Sequence, residues 1–524
     1  METAERDMNL TAGLRKSASF RGQATALVSG DVRLTHEEMR DRVARLASSF
    51  RKLGIRPGDR IAILATNGNH YVECYFATLW AGGVAVPVNS RFSLPEMIDQ
   101  IRDAEPSVLV CDGPFLETAM QVAESCPCIT ALVTPRANGL SRVYDYEAMV
   151  ADAVACEDAL RSGDDLACIF YTGGTTGRAK GVMLSHRNLW VNAIVTSMNF
   201  GFDETMVALH AGPLFHLGAG ARVYTTSLMG GQHVVIPRFT PSDVLEAIAR
   251  HRVTVATFVP TMLAMILQLP DLDAYDLSSL KLVTYGASPM PEAVLHECLR
   301  RFPRIRFGQS YGMTELSPVA TILGPEDHLP SAPRHRLRSA GRPIVSAEVR
   351  IADAEDRELK RGEVGEIQVR GPMVMMGYWR QPELTEKTLR GGWMHTDDSG
   401  YFDDDGYLYV SDRIKDMIIT GGENVYSIEV ENAIGSHPDV LQCAVIGIPD
   451  PKWGEAVHAV VVRRPGSSPS AADVTAHCRA AIADYKCPRS VEFRDDPLPL
   501  SSVNKVNKEA LRKPYWKDQS RGVN

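Results

Sequence analysis

Across 524 residues the chain has no Cys-x-x-Cys pair, no unbroken apolar stretch long enough to span a membrane, and no excess of basic charge. Its ten cysteines stand apart, at 74, 111, 126, 128, 156, 168, 298, 443, 478 and 487, and Cys126-Pro-Cys128 lacks the second half of a zinc cluster. Most lie inside apolar strings such as LVCD and LQCAVI, the pattern of buried, reduced thiols, so a cytoplasmic chain is expected. The most apolar run, residues 253–269, is split by Pro260, threonines and Gln268; it predicts a buried strand followed by a buried helix, not a transmembrane segment. With 56 basic against 64 acidic side chains the balance is -8, which argues against a broad nucleic-acid surface but allows a small anion in a local pocket. The first twenty residues carry charges where a secretion signal needs an apolar core.

What is there is a soluble globular composition, 44% apolar and 23% charged, in a chain long enough for at least two domains. Thr35-His36-Glu37-Glu38 is a capping-box pattern, after which Met39, Val43, Leu46 and Phe50 share one helical face until Gly54. Short apolar strands then alternate with helical patterns, a rhythm that recurs after Arg161 and implies two similar layered halves built on mostly parallel sheets. After Gly341 strands follow one another without long helices, so an antiparallel β region is expected; a smaller mixed module begins near Asp412. The expected fold is α/β: a large N-terminal domain, residues 1–412, of layered mostly parallel sheets plus a β region, and a small α+β C-terminal domain, residues 413–524. The best linker candidate is the stretch 409–426, which turns from strand to charge to glycine.

The segment 171–186, YTGGTTGRAKGVMLSH, is the most glycine-rich. It is not a Walker A loop, because Arg178, Ala179 and Val182 stand where a second glycine is required, and it holds no Gly-x-Gly-x-x-Gly. Unobstructed backbone amides and threonine hydroxyls nevertheless suit a phosphate chain, and Lys180 adds a point charge; a solvated hairpin is the bland alternative. Gly308-Gln309-Ser310-Tyr311-Gly312 satisfies Gly-x-Ser-x-Gly, the nucleophile elbow of serine hydrolases. An elbow must feed a helix, whereas Pro318 and Gly324-Pro325 interrupt the segment after Ser310, so hydrolysis is the alternative reading. His296-Glu297 lacks the second histidine of a metalloprotease helix.

Four stretches in order, YTGGTTGRAKG (171–181), QSYGMTE (309–315), WMHTDDSGYFDDDGYLYVSDRIKD (393–416) and PLPLSSVNKVNK (497–508), resemble the adenylate-forming superfamily of acyl- and aryl-CoA synthetases, nonribosomal adenylation domains and luciferases. The resemblance implies an ATP-dependent ligase: a carboxylate attacks the α-phosphorus of ATP, pyrophosphate leaves, and the acyl-adenylate is opened by the thiol of coenzyme A. It further implies that Thr172, Gly173, Gly174, Thr175, Thr176, Gly177 and Lys180 close over the β- and γ-phosphates. Gly286, Ala287 and Ser288 would turn along adenine, Gln309, Ser310, Tyr311 and Gly312 would hold the base with Tyr311 stacked on it, and Thr314 would reach the α-phosphate. Glu315 would be the magnesium ligand, Asp398 and Arg413 would hold the ribose, and Lys505 would be the catalytic lysine, with Lys508 as its nearest alternative. The family's small domain is mobile: Lys415 would be the hinge, and Gly421, Gly422 and Trp453 would line the coenzyme A tunnel. Three departures stand out, Asp397 and Asn504 where glycine is usual and Ser427 where proline is frequent; Ser427 is expected to loosen its loop.

In Pro213-Leu214-Phe215-His216 a histidine stands where amino-acid-activating relatives place an aspartate, which disfavours an ammonium-bearing substrate. His216, Phe258 and Val259, with the small residues Gly218, Ala219 and Gly220, are therefore expected to line a pocket for an aliphatic or aromatic acid. The sequence supplies no carrier-protein domain after Lys505, so free coenzyme A is the expected acceptor. Partners are then a small carboxylic acid, ATP, magnesium and coenzyme A, without nucleic acid, and a homodimer is compatible with this set. A luciferase-like oxygenase would share only the first half-reaction.

Overall fold

In the computed structural model, which describes residues 8–135, 141–172, 179–413, 416–421, 423–501 and 505–516 with the Arg413 side chain excepted, the helix His36–Lys52 starts at the expected capping box. Thr35 Oγ1 accepts the Glu38 N–H at 3.2 Å, and the Glu38 carboxylate accepts the Thr35 N–H at 2.8 Å. Met39, Val43, Leu46 and Phe50 are all fully buried, as the 3.6-residue period requires. The run 253–269 is likewise a strand, Val255–Phe258, followed by the helix Pro260–Leu267, with proline in the first helical turn, where its missing N–H costs nothing.

Two large sheets form the layers. In the eight-stranded one the order is Gly377–Tyr378, Lys180–Ser185, Leu166–Thr172, Val84–Pro87, Arg60–Leu64, Val108–Cys111, Ala131–Thr134 and Val143–Asp145. Its first two pairings are antiparallel and the rest parallel. In the nine-stranded sheet Arg306–Tyr311, Leu282–Gly286, Val255–Phe258, Val207–His210, Gln232–Val235 and Thr25–Ser29 run parallel, flanked by antiparallel edge strands. The halves are therefore not divided at Arg161. Leu166–Thr172 joins the first sheet beside Val84–Pro87, and Thr25–Ser29, from the start of the chain, joins the second. The physical reason is the shared core. The helix Asn69–Ala81, apolar nearly all round, is buried along its length, and with Leu217–Met229 it packs against Ile61 and Phe170 of one sheet and Leu27 and Val235 of the other.

The β region is as expected, four wholly antiparallel strands, Glu348–Ala352, Gly365–Arg370, Met394–Phe402 and Leu408–Arg413. Beyond it a separate five-stranded sheet is built on the long hairpin Val440–Asp450 and Gly454–Arg463, with the helices Ser427–Gly435 and Ala471–Ala481 and its own apolar cluster around Ile434, Val445, Val461 and Val474.

Candidate active site

The strands Leu166–Thr172 and Lys180–Ser185 pair antiparallel with Thr172 opposite Lys180, so the glycine-rich connection sits at the tip of a hairpin. Gly173, Gly174, Thr175, Thr176 and Gly177 lie outside the described residues. At its exit the Lys180 ammonium stands 5.4 Å from the centroid of the Tyr378 ring. The Tyr378 hydroxyl donates to a Glu315 carboxylate oxygen at 3.0 Å. Glu315 belongs to the single 3-10 turn Thr314–Leu316, is 7% exposed, and is fixed through its carbonyl, which accepts the Met375 N–H at 2.9 Å. Burial and the adjoining carboxylate raise the Tyr378 phenol far above its usual range, so it acts only as a donor. Tyr378 comes from a two-residue strand that folds back onto Met183 and Val182, and nothing in its local sequence marks it.

Opposite the hairpin three strand ends converge. Gly286 and Ser310 face each other across a parallel pair so closely that a Cβ at 286 would lie 2.3 Å from the Ser310 carbonyl oxygen. Gly312, at φ +157°, would bring a Cβ within 2.0 Å of the Pro318 carbonyl oxygen. Only glycine fits either place. Ala287 takes a left-handed φ of 68°, which turns the chain at Ser288. The Tyr311 hydroxyl donates to Asp398 at 2.8 Å, and Asp398 lies opposite Arg413 in the antiparallel register of its own sheet. Asp397 also has a left-handed φ, 57°, which accounts for a preference for glycine there; its N–H is held by Glu366 at 3.2 Å. The strand Arg306–Tyr311 runs straight through Ser310 and is followed by the short turn Thr314–Leu316, so Ser310 stands on no nucleophile elbow and the hydrolase alternative fails.

In the small sheet domain Gly421, at φ 62°, donates its N–H to the Trp453 carbonyl at 2.8 Å, and a Cβ there would meet the indole at 2.7 Å. Trp453 is 40% exposed, with Lys452 4.5 Å over its ring. Gly422 and Lys415 lie outside the described residues. Lys505 closes a tight loop: Ser501 N–H donates to its carbonyl at 2.6 Å, and its own N–H donates to Ser501 Oγ at 3.3 Å. Lys508, the alternative, is committed elsewhere, with its ammonium 2.7 Å from Glu431 and 2.6 Å from Ser427 Oγ. Ser427 does not loosen its loop. Its N–H and hydroxyl both donate to Asp412 Oδ2 at 2.6 Å, a tie that proline, with neither an N–H nor a hydroxyl, would abolish. Burial pushes the Asp412 carboxyl up.

Of the expected acyl-pocket residues, His216 caps the helix Leu217–Met229 with its ring 4.5 Å from that of Phe215. Phe258 is 3% exposed and packs on Phe239 within the cluster that also holds Val259, on the face of the nine-stranded sheet covered by Pro241–His251 and Pro260–Leu267. Strand alternation instead turns Thr257 toward the helix Leu217–Met229, where its hydroxyl lies 2.7 Å from that of Thr284 and 3.4 Å from Arg222. The two-residue period of the strand places Thr257 opposite Phe258, but its small polar side chain carries no apolar signal. A recess of about 760 Å³ opens elsewhere, beside the helix Glu292–Arg301, and shares no residue with this constellation.

Comparison with known proteins agrees with this geometry. Residues 14–379 match the family model described as AMP-binding enzyme, and residues 429–505 match AMP-binding enzyme C-terminal domain. A feruloyl-CoA synthase of an Amycolatopsis species is 40% identical over 501 residues, covering 95% of this chain and 98% of that one. A medium/long-chain-fatty-acid–CoA ligase of Mycobacterium tuberculosis is 36% identical over 512 residues, covering 95% and 88%. Among solved structures, ATP-bound MatB of Rhodopseudomonas palustris superposes with a TM-score of 0.87 at 32% identity over 98% of this chain and 99% of that one. The chain belongs to the AMP-binding enzyme family, within its acyl- and aryl-CoA ligases.

Proposed function

We propose that the chain condenses a small carboxylic acid with ATP to an acyl-adenylate and then passes the acyl group to coenzyme A. A substrate carboxylate oxygen bonds to the α-phosphorus as the bond to pyrophosphate breaks. The coenzyme A sulfur then bonds to the acyl carbon, AMP departs, and the thiol proton is lost to solvent or to the AMP phosphate. The observation that carries the reading is the link Lys180–Tyr378–Glu315, which ties the exit of the hairpin loop to a carboxylate only 7% exposed.

On this reading the loop from Thr172 to Lys180 covers the β- and γ-phosphates, Thr314 meets the α-phosphate, and Tyr311 flanks adenine beside the turn at Gly286, Ala287 and Ser288. Asp398 and Arg413 hold the ribose. Magnesium fits Glu315: a hard carboxylate oxygen, oriented by a phenol, suits an ion that takes its other ligands from phosphate and water. When bound, it would neutralise phosphate charge. Lys505 contributes positive charge where negative charge builds on the transferring group.

The division at residue 412 belongs to the same proposal. One arrangement would bring Lys505 to the acid, and rotation near Lys415 would exchange it for Gly421, Gly422 and Trp453, whose exposed indole suits the lining of a pantetheine passage. The test is a panel of acids scored for pyrophosphate release and thioester formation. Lys505→Ala should abolish pyrophosphate release yet still make thioester from supplied acyl-adenylate and coenzyme A. AMP release that did not depend on coenzyme A would favour an oxygenase instead.

A further inference from the structure

The acid is the open question, since relatives of comparable similarity take aromatic and aliphatic ones. One feature of the pocket is specific to charge. Gly218 and Arg222 stand one turn apart on the same face of the helix Leu217–Met229. A Cβ added at Gly218 would meet nothing within 4 Å, so that face opens onto empty space, and a helical side chain at 222 leans back toward the turn holding Gly218. Below the opening, Arg222 Nη2 lies 3.4 Å from Thr257 Oγ1 and the guanidinium carbon 4.5 Å over the Phe202 ring. Its Nη1 is buried and has no hydrogen-bond partner.

Among the described residues no carboxylate forms an ion pair with Arg222. His210, which feels its charge, is kept neutral by burial and by the guanidinium itself, its pKa lowered to about 3, and it is bonded at 3.0 Å to a second buried histidine, His233. Burial lowers Arg222 only to about 10, so it remains charged at neutral pH. A partly exposed, charged guanidinium with one nitrogen sealed from solvent and unpartnered is costly unless an anion meets it. The strand beside it ends at the nucleotide turn. Thr284, bonded to Thr257 at 2.7 Å, precedes Gly286 by two residues on one strand and so shares its face, ~7 Å deeper at the rise of a strand.

We propose that Arg222 anchors a second acidic group at the far end of the substrate, so that the enzyme selects dicarboxylic acids whose two carboxylates are separated by about the depth from Gly286 to Arg222. This rests on the ligase reading above. Thr257 and Thr284 would supply hydroxyls to the same end, and the wall between would stay apolar.

The test uses the full chain with glutaric to suberic acids and benzenedicarboxylic acids, each beside its monomethyl ester, which keeps length and removes the far charge. Wild type should favour the diacid over its ester by at least ten-fold in kcat/KM for pyrophosphate release. Arg222→Met should lose that preference by depressing the diacid alone, while Arg222→Lys should retain part of it. Esters used as well as diacids by wild type, or equal loss on both in Arg222→Met, would overturn the proposal and leave the ligase reading standing. If no acid released pyrophosphate, the ligase reading would fall, and thermal protection would decide the anion site: protection of wild type by a diacid, absent with its ester and absent in Arg222→Met, supports it, and no difference overturns it.

Discussion

Replacing Tyr378 by phenylalanine removes a single oxygen from the middle of the link between the hairpin loop and Glu315. The lost bond is of normal length, 3.0 Å, and ends on a carboxylate only 7% exposed, so water replaces it poorly. A hydrogen bond to a buried charged acceptor is worth about 1.5–3 kcal/mol. If the phenol serves to orient Glu315 toward metal-bound phosphate, that energy is expressed in the adenylation step as a roughly 10–100-fold fall in kcat for pyrophosphate release. The ring under Lys180 survives in Tyr378→Phe, so the cation–π contact, about 0.5–1 kcal/mol, is kept and KM for ATP should change little. Tyr378→Leu removes both contacts and should raise KM for ATP by a further few-fold. The assay is pyrophosphate release across a magnesium titration, with thioester formation from supplied acyl-adenylate as the control that should not move. Wild-type kcat in Tyr378→Phe at every magnesium concentration would refute the reasoning, as would a loss confined to the thioester step.

Lys508→Met should leave the half-buried Glu431 without its cation and cost about 1.5–3 kcal/mol of small-domain stability, measured by denaturant unfolding, whereas Lys505→Ala should unfold like wild type. Ser427→Pro removes both donors to Asp412, the N–H and the hydroxyl, and should destabilise by about 2–4 kcal/mol; Ser427→Ala, which keeps the N–H, should cost about 1–3 kcal/mol, and a melting temperature unchanged in both would count against the tie. At Asp397, with its φ of 57°, valine should cost about 1–2 kcal/mol while glycine is tolerated, so the order of melting temperatures is the readout. Burial lowers His186 and His210 to about 3 from the ordinary 6.5, so the unfolded chain binds more protons below pH 6.5 and stability is lost as pH falls through that window, about 2 kcal/mol per histidine by pH 5. A melting temperature flat from pH 7 to pH 5 would contradict it.

The parts of the site visible in the sequence are those held by local constraint. The glycines at 286 and 312 and the acid after a tight turn are each forced by backbone geometry within a few residues, and such requirements leave a mark in the order of letters. Tyr378 left none. It reaches Glu315 because two residues pair with Val182 and Met183, nearly 200 positions earlier, and a strand that short has no period to read. The same limit explains Thr25–Ser29, whose partner strand in the sheet, Gln232–Val235, lies some two hundred positions further along the chain.

The acyl pocket shows a different limit. Alternation says that Thr257 and Phe258 point to opposite faces, but not which face meets the substrate, and apolar bulk is a poor guide because the sheet is buried on both sides. What distinguishes the two faces is charge. One is closed by Phe239 and Val259, a dry core with nothing to recognise; the other ends at a guanidinium whose Nη1 has no partner. A core shaped only by packing would exchange Arg222 for leucine or methionine and gain stability by removing an uncompensated charge. Its presence beside buried threonines and neutral histidines is therefore better explained by what binds there than by what folds there.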